Sequence, residues 1–125
     1  MTRNMKRSIL IVDDDPDMCL TLKGVFEQKG YDVSVASSGV AAINFVEKKA
    51  YTIVLADLIM DKINGADLIG KIKDIRPDIS SYVMTAYMRE DLLKQAMQKG
   101  CKRVFTKPFD IDEMLEVFEA EVEEK

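Results

Sequence analysis

The sequence predicts an α/β fold, a doubly wound (βα)5 sandwich of three layers around a parallel sheet. Three observations carry this. Short runs rich in Ile and Val alternate with longer segments of helical period. The apolar runs lack in/out alternation, as expected of strands covered on both faces. A chain of 125 residues holds five such βα units, with no linker, internal sequence repeat or second composition zone, so residues 1–125 read as one domain.

Ser8–Val12 is the first strand and runs straight into Asp13-Asp14-Asp15-Pro16. Asp15 has the chemistry of an N-cap and Pro16 that of a first helical residue; Met18, Leu22, Val25 and Phe26 then recur at helical spacing up to Gly30. Asp32–Ala36 is the second strand. Ser37 or Ser38 caps a helix through Lys49 that buries Ala42, Ile43 and Val46. Thr52–Ala56 is the third strand, ending at Asp57, and turn chemistry follows at 61–65. Leu68, Ile72 and Ile75 mark the next helix, stopped by Pro77. Tyr82–Met84 is the fourth strand, finishing at Thr85; Arg89–Lys99 is a helix ended by Gly100; Val104–Thr106 is the fifth strand, finishing at Lys107-Pro108. The last helix opens at Asp110, with Glu113 completing a capping box, and presents Ile111, Met114, Leu115, Phe118 and Val122.

Composition narrows the chemistry. The chain is 47% hydrophobic and 32% charged, with 18 basic against 22 acidic residues and a net charge of −4. The acidity lies in residues 110–125, which hold eight acids and one Lys. Scattered basic residues make no phosphate-binding stripe, so direct nucleic-acid binding is not expected. With no His, histidine-based zinc sites and Ser/His triads are excluded. Cys19 and Cys101 lack metal or redox spacing and read as buried thiols of a reducing compartment. The apolar run after the basic N-terminus is too short for a signal peptide or membrane span, which makes the expected location cytoplasmic and membrane contact unexpected.

In a doubly wound sheet, ligands sit beyond the carboxyl ends of the strands, and those ends carry Asp13, Asp14, Asp57, Thr85 and Lys107. Singly, each has an ordinary reading: Asp15 as a cap, Thr85 as a turn residue, a Lys before Pro as nothing in particular. Together they are complementary. Converging carboxylates repel by about 1 kcal/mol per pair in water and about 4 kcal/mol at an effective dielectric of 20, so they require a cation. All-oxygen ligands point to Mg²⁺, with Mn²⁺ possible on the same grounds. A metal, a lysine, a hydroxyl and a free carboxylate make a set for phosphoryl transfer, with Asp57 as candidate nucleophile.

These residues closely resemble the receiver domains of two-component response regulators, over essentially the whole chain. The motifs are 9–14 (ILIVDD), 57–65 (DLIMDKING), 84–86 (MTA) and 106–109 (TKPF). The resemblance implies a flavodoxin-like sheet of order 2-1-3-4-5, and phosphorylation of Asp57 by a sensor histidine kinase or a histidine phosphotransfer protein. It implies Mg²⁺ held by Asp14, Asp57 and the carbonyl of Ile59, with Asp13 acting through water, and Thr85 and Lys107 on the phosphoryl oxygens. It further implies a phosphoacceptor switch that controls a downstream target protein, not an enzyme of metabolism, as a monomer or weak dimer.

Three departures from the family pattern involve four positions. Asp61 stands where Pro is usual, Val104 where an aromatic often swings inward, and Ile59 and Tyr87 where polar residues tune phosphoryl lifetime. Bulk at Ile59 and Tyr87 is expected to shield the acyl phosphate, and phosphorylation to move Thr85, Ala86 and the loop after the fourth strand. A receiver cut from a longer regulator fits the same residues. An aspartate-nucleophile phosphohydrolase fits less well, having only Asp110 and Asp112 for a further acidic pair. A flavin module lacks its phosphate loop, and a silent docking scaffold would not need all five strand-end residues.

Overall fold

The computed structural model describes residues 7–124. Strands β1 (Ser8–Val12), β2 (Asp32–Ala36), β3 (Ile53–Asp57), β4 (Ser80–Thr85) and β5 (Arg103–Thr106) alternate with helices α1 (Pro16–Gln28), α2 (Gly39–Lys48), α3 (Gly65–Ile75), α4 (Glu90–Gln98) and α5 (Ile111–Glu124). All strands pair in parallel, in the order β2-β1-β3-β4-β5. The expected fold class and strand order are therefore those of the molecule.

Alternate residues of each strand feed opposite layers. Ile9, Ile11, Ile53, Leu55, Tyr82 and Met84 meet α1 and α5 through Leu22, Phe26, Met114 and Phe118. Leu10, Val12, Val54 and Ala56 meet α2 and α3 through Ala42, Val46, Leu68 and Ile72, and Val83 meets Ile69 and Ala96. A continuous apolar run without alternation is what two covered faces require.

The helix ends follow local chemistry. Asp15 Oδ1 accepts from the N–H groups of Asp17 and Met18 at 3.0 and 3.4 Å, and Ser38 Oγ from that of Ala41 at 3.1 Å, so Ser38 and not Ser37 is the cap. Gly30 and Gly100 close α1 and α4 at φ +92° and +105°, where a side chain would be strained. Ile75 ends α3 as its helical spacing predicts, and is 37% exposed there. One expectation is corrected. β4 begins at Ser80, since pairing with Ile53 carries the ladder back over two buried serines that apolar patterning passes over.

Candidate functional site

The register sets the carboxyl ends of β1, β3, β4 and β5 side by side. Val12 pairs with Ala56, Asp57 with Met84, and Thr85 with Thr106, so Asp13, Asp57, Thr85 and Lys107 emerge along one edge. The β3–α3 loop folds back tightly there: Gly65 N–H donates to Leu58 O at 2.8 Å, and a Cβ on Gly65 would lie 2.5 Å from the Asp57 carbonyl oxygen. Only glycine permits that approach. Asn64 caps α3 through the Asp67 N–H at 2.9 Å.

Asp13, Asp14 and Asp57 each offer an oxygen within 4.8 Å of the others. Asp13 and Asp57 are buried, at 1% and 8% exposure, and Asp14 is open to solvent. Lys107 Nζ donates to Asp57 Oδ2 at 3.1 Å and to Asp13 Oδ2 at 3.4 Å. The remaining acceptors are met by backbone: Ile59 N–H donates to Asp57 Oδ1 at 3.1 Å and Asp15 N–H to Asp13 Oδ1 at 3.0 Å. Burial pushes the Asp13 carboxyl above its ordinary value, with the Asp57 charge adding to it against the Asp15 N–H and Lys107. Burial opposes the Lys107 charge, yet the hydrogen bonds and charges of Asp57 and Asp13 outweigh it and raise the ammonium above its ordinary value.

One ammonium against three carboxylates leaves a charge of −2 in a half-covered pocket. An all-oxygen donor set with one solvent-facing member fits a hard divalent ion that keeps several waters, as Mg²⁺ does. The acidic cluster is thus compatible with a Mg²⁺ site.

Thr85 is fully buried, but its hydroxyl is engaged locally: it donates to Tyr87 O at 2.9 Å and accepts from Tyr87 N–H at 3.0 Å. This small turn enclosing Ala86 is spelled by no sequence motif. Tyr87 is 65% exposed and Ile59 37%, so shielding of the carboxylate would require both to fold inward from this arrangement. Val104, like Leu92 and Leu93, packs against the cluster that holds Val83 and Ala96, while Phe105 faces the opposite layer among Tyr82 and Phe118, as strand alternation predicts. Asp61 is exposed and outside the acidic cluster; its carbonyl accepts from Ile63 N–H at 2.7 Å, forming a tight three-residue turn with Lys62 at φ +70°. Asp110 accepts from Glu113 N–H at 3.2 Å, which makes it the cap of α5 and not half of a second acidic pair.

Sequence reading missed Glu121, which is only 8% exposed and accepts from Tyr82 Oη at 2.9 Å and Lys102 Nζ at 2.7 Å. Its spacing from Met114 and Phe118 places it on the buried face of α5, the one signal that was available.

Three comparisons bear on this arrangement. The model of the response regulator receiver domain family matches residues 9–119. Sporulation initiation phosphotransferase F of Bacillus subtilis is 34% identical over 88% of this chain and 89% of its own length. The transcriptional regulatory protein ZraR of Klebsiella oxytoca is also 34% identical, but the chain spans only 24% of that protein's length. Among solved structures, a CheY-like receiver domain protein from Methanospirillum hungatei superposes with a TM-score of 0.88 at 22% identity, covering 97% of this chain and 100% of that one, a likeness of fold. A response regulator from Burkholderia pseudomallei with a phosphorylated aspartic acid and a calcium ion superposes with a TM-score of 0.83 at 25% identity, covering 88% of this chain and 65% of that one.

Proposed function

Because the chain belongs to the response regulator receiver domain family, we propose that Asp57 is its phosphoacceptor and that Asp13, Asp14, Thr85 and Lys107 serve the transfer. The chain is a phosphoacceptor signalling module. The observation that carries the residue assignment is the position of Asp57: the one carboxylate of the cluster on the central strand, held at one oxygen by the Ile59 N–H and at the other by Lys107. The Burkholderia structure, which superposes on this chain and holds a phosphorylated aspartic acid and a calcium ion, supports the same reading.

In this reading the donor is a phosphohistidine of a sensor kinase or phosphotransfer protein. An Asp57 carboxylate oxygen attacks phosphorus, the P–N bond breaks, and its electron pair stays on the imidazole nitrogen. Asp13, Asp14, Asp57 and the Ile59 carbonyl are the groups that would hold Mg²⁺, which when bound would supply charge neutralisation for the transfer. Lys107 gives a second fixed positive charge. Output goes through a downstream protein, residues 1–125 act as one receiver unit in the cytoplasm, and no metabolite is turned over. Among the described residues no helix is long and apolar enough to cross a membrane.

The switch has a definable energy. Thr85 must give up two hydrogen bonds to Tyr87, about 1 kcal/mol each, to donate one charge-assisted bond worth about 1.5–3 kcal/mol. That exchange is close to balanced. Moving an equilibrium from about 1:99 to 99:1 takes about 5.5 kcal/mol, so Thr85 alone cannot throw the switch. The Lys107 contact and the altered charge at Asp57 must contribute the larger part.

Intact-protein mass after incubation with acetyl phosphate and Mg²⁺ tests the assignment in wild type, in Asp57→Asn and in an EDTA control. A single phosphoryl increment that needs both Asp57 and Mg²⁺ is expected. An equal increment in Asp57→Asn would overturn the acceptor, and one that survives EDTA would overturn the role of the ion.

A further inference from the structure

We propose that the groove between α3 and the C-terminal end of α4 is a binding site for oligophosphate anions, separate from the acidic pocket. The groove has a volume of about 640 Å³, within the range of small-ligand sites, and is lined by Lys62, Lys71, Lys73 and Lys99 together with Asp67 and Asp74. In a chain of net charge −4, it is a concentration of positive charge that the fold assembles from separate segments.

Lys73 and Lys99 each lie over a glycine of the neighbouring segment. A Cβ on Gly70 would lie 2.9 Å from Lys99 Cδ, and one on Gly100 would lie 2.7 Å from Lys73 Nζ. Lys99 therefore lies along the bare backbone of α3, and Lys73 lies against the turn that ends α4. The two side chains pass over two glycines, so each segment leaves room for the other's lysine and brings both ammonium groups to one groove.

Helix termini account for only part of this. Lys73 and Lys99 flank the carbonyl end of α4 and are favoured there by its dipole. Lys71 sits in the middle of α3, and Lys62 precedes the α3 N-terminus, where a cation is disfavoured, in the positive-φ turn at +70°. Among the described residues none of the four ammonium groups is in an ion pair, although Asp67 and Asp74 line the same groove. The positive charge is left available.

The ligand class follows from what the groove lacks. No aromatic side chain lines it and Ile63 is its one large apolar residue, so it has nothing to stack or enclose a base. Spaced ammonium points suit successive phosphates. Along the α3 axis, Gly65 to Lys73 spans roughly 12 Å at 1.5 Å per residue, with Lys62 in the turn beyond its N-terminus, the reach of a short phosphate chain with its hydration. Free oligophosphate and the triphosphate of a nucleotide share that chemistry.

Amide chemical shifts of the full chain, titrated with sodium tripolyphosphate at low ionic strength without Mg²⁺, test the site. Shifts centred on residues 62–74 and 99–100 are expected. Each lysine–phosphate contact in water is worth about fivefold, so Lys71→Glu with Lys99→Glu should weaken binding by at least 25-fold on the same scale. Lys62→Ala, at an exposed loop position, should weaken it about fivefold, and Lys29→Glu, on the far side of the molecule, should leave it unchanged. ATP should bind within about twofold of tripolyphosphate if phosphate alone is read. The proposal is overturned by unaltered affinity in the double variant and in Lys62→Ala, by shifts centred on Asp13 and Lys107, by ATP binding far more tightly through its base, or by no saturable shift at millimolar tripolyphosphate.

Discussion

Glu121 offers the sharpest test of how the sheet is tied to α5. Its carboxylate sits at 8% exposure, accepting from the hydroxyl of Tyr82, itself 2% exposed, and from Lys102. Glu121→Ala removes the hydrogen bond that the buried Tyr82 hydroxyl donates to this carboxylate, about 1–3 kcal/mol for a bond to a charged group. It also removes an ion pair whose lysine is 49% exposed, worth no more than about 1 kcal/mol after solvent screening. The expected loss at neutral pH is about 2–4 kcal/mol. Glu121→Gln keeps an acceptor for Tyr82 and should cost about 1 kcal/mol or less. Burial pushes the Glu121 carboxyl upward, but hydrogen bonds from Lys102, Ser80 and Tyr82 outweigh it and hold it below its ordinary value of 4.5. The carboxylate's stabilisation is therefore fully present above pH 4.5 and fades as pH falls below that through the folded-state value. Urea unfolding followed by circular dichroism would compare wild type, both variants, Tyr82→Phe and Tyr82→Phe/Glu121→Ala, at pH 7 and in steps below 4.5. Additive losses in the double variant, with no coupling between Tyr82 and Glu121, would refute the reasoning. So would a Glu121→Gln difference that stays constant through the acid range.

Other outcomes follow from single contacts. Gly65→Ala should lower stability by about 1–3 kcal/mol in the same unfolding assay, because its methyl would lie 2.5 and 2.9 Å from the backbone of Asp57 and Leu58; at an ordinary first helical position alanine would raise stability. The Cys19 thiol is 3% exposed, and burial together with the Asp13 and Asp15 charges pushes it up to about 11. Iodoacetamide at pH 7.5 should leave it unmodified in the folded protein and alkylate it in urea, as read by peptide mass. Thr85→Ala removes both hydrogen bonds of the turn to Tyr87 and should cost about 2 kcal/mol; after acetyl phosphate treatment, the amide shifts of Ala86 and Tyr87 should move less than in wild type.

The residues that sequence reading placed well share one property: their chemistry is local. Asp15 caps the helix it precedes, Gly30 and Gly100 stop the helices they follow, and the strands announce themselves by apolar runs that only a doubly covered sheet can bury. The acidic edge was legible for the same reason. A parallel sheet sends every strand end to one side, so naming the residue at each end names the neighbours. What escaped depended on partners distant in sequence. Glu121 reads as part of an acidic tail until Tyr82, 39 residues earlier, supplies its donor. Lys62, Lys71, Lys73 and Lys99 read as scattered charge until Gly70 and Gly100 let α3 and α4 bring them to one groove. Thr85 is the mixed case, and it bears on the switch. Its position at the strand end was plain, while the direction of its hydroxyl depends on a turn with no sequence signature, closed by the backbone of Tyr87. If Thr85 were already aimed at Asp57, phosphorylation would have nothing to pull on. With the hydroxyl committed elsewhere at nearly equal energy, a phosphoryl group on Asp57, as proposed above, would add the charge that trades one set of bonds for the other, with the Lys107 contact contributing alongside it.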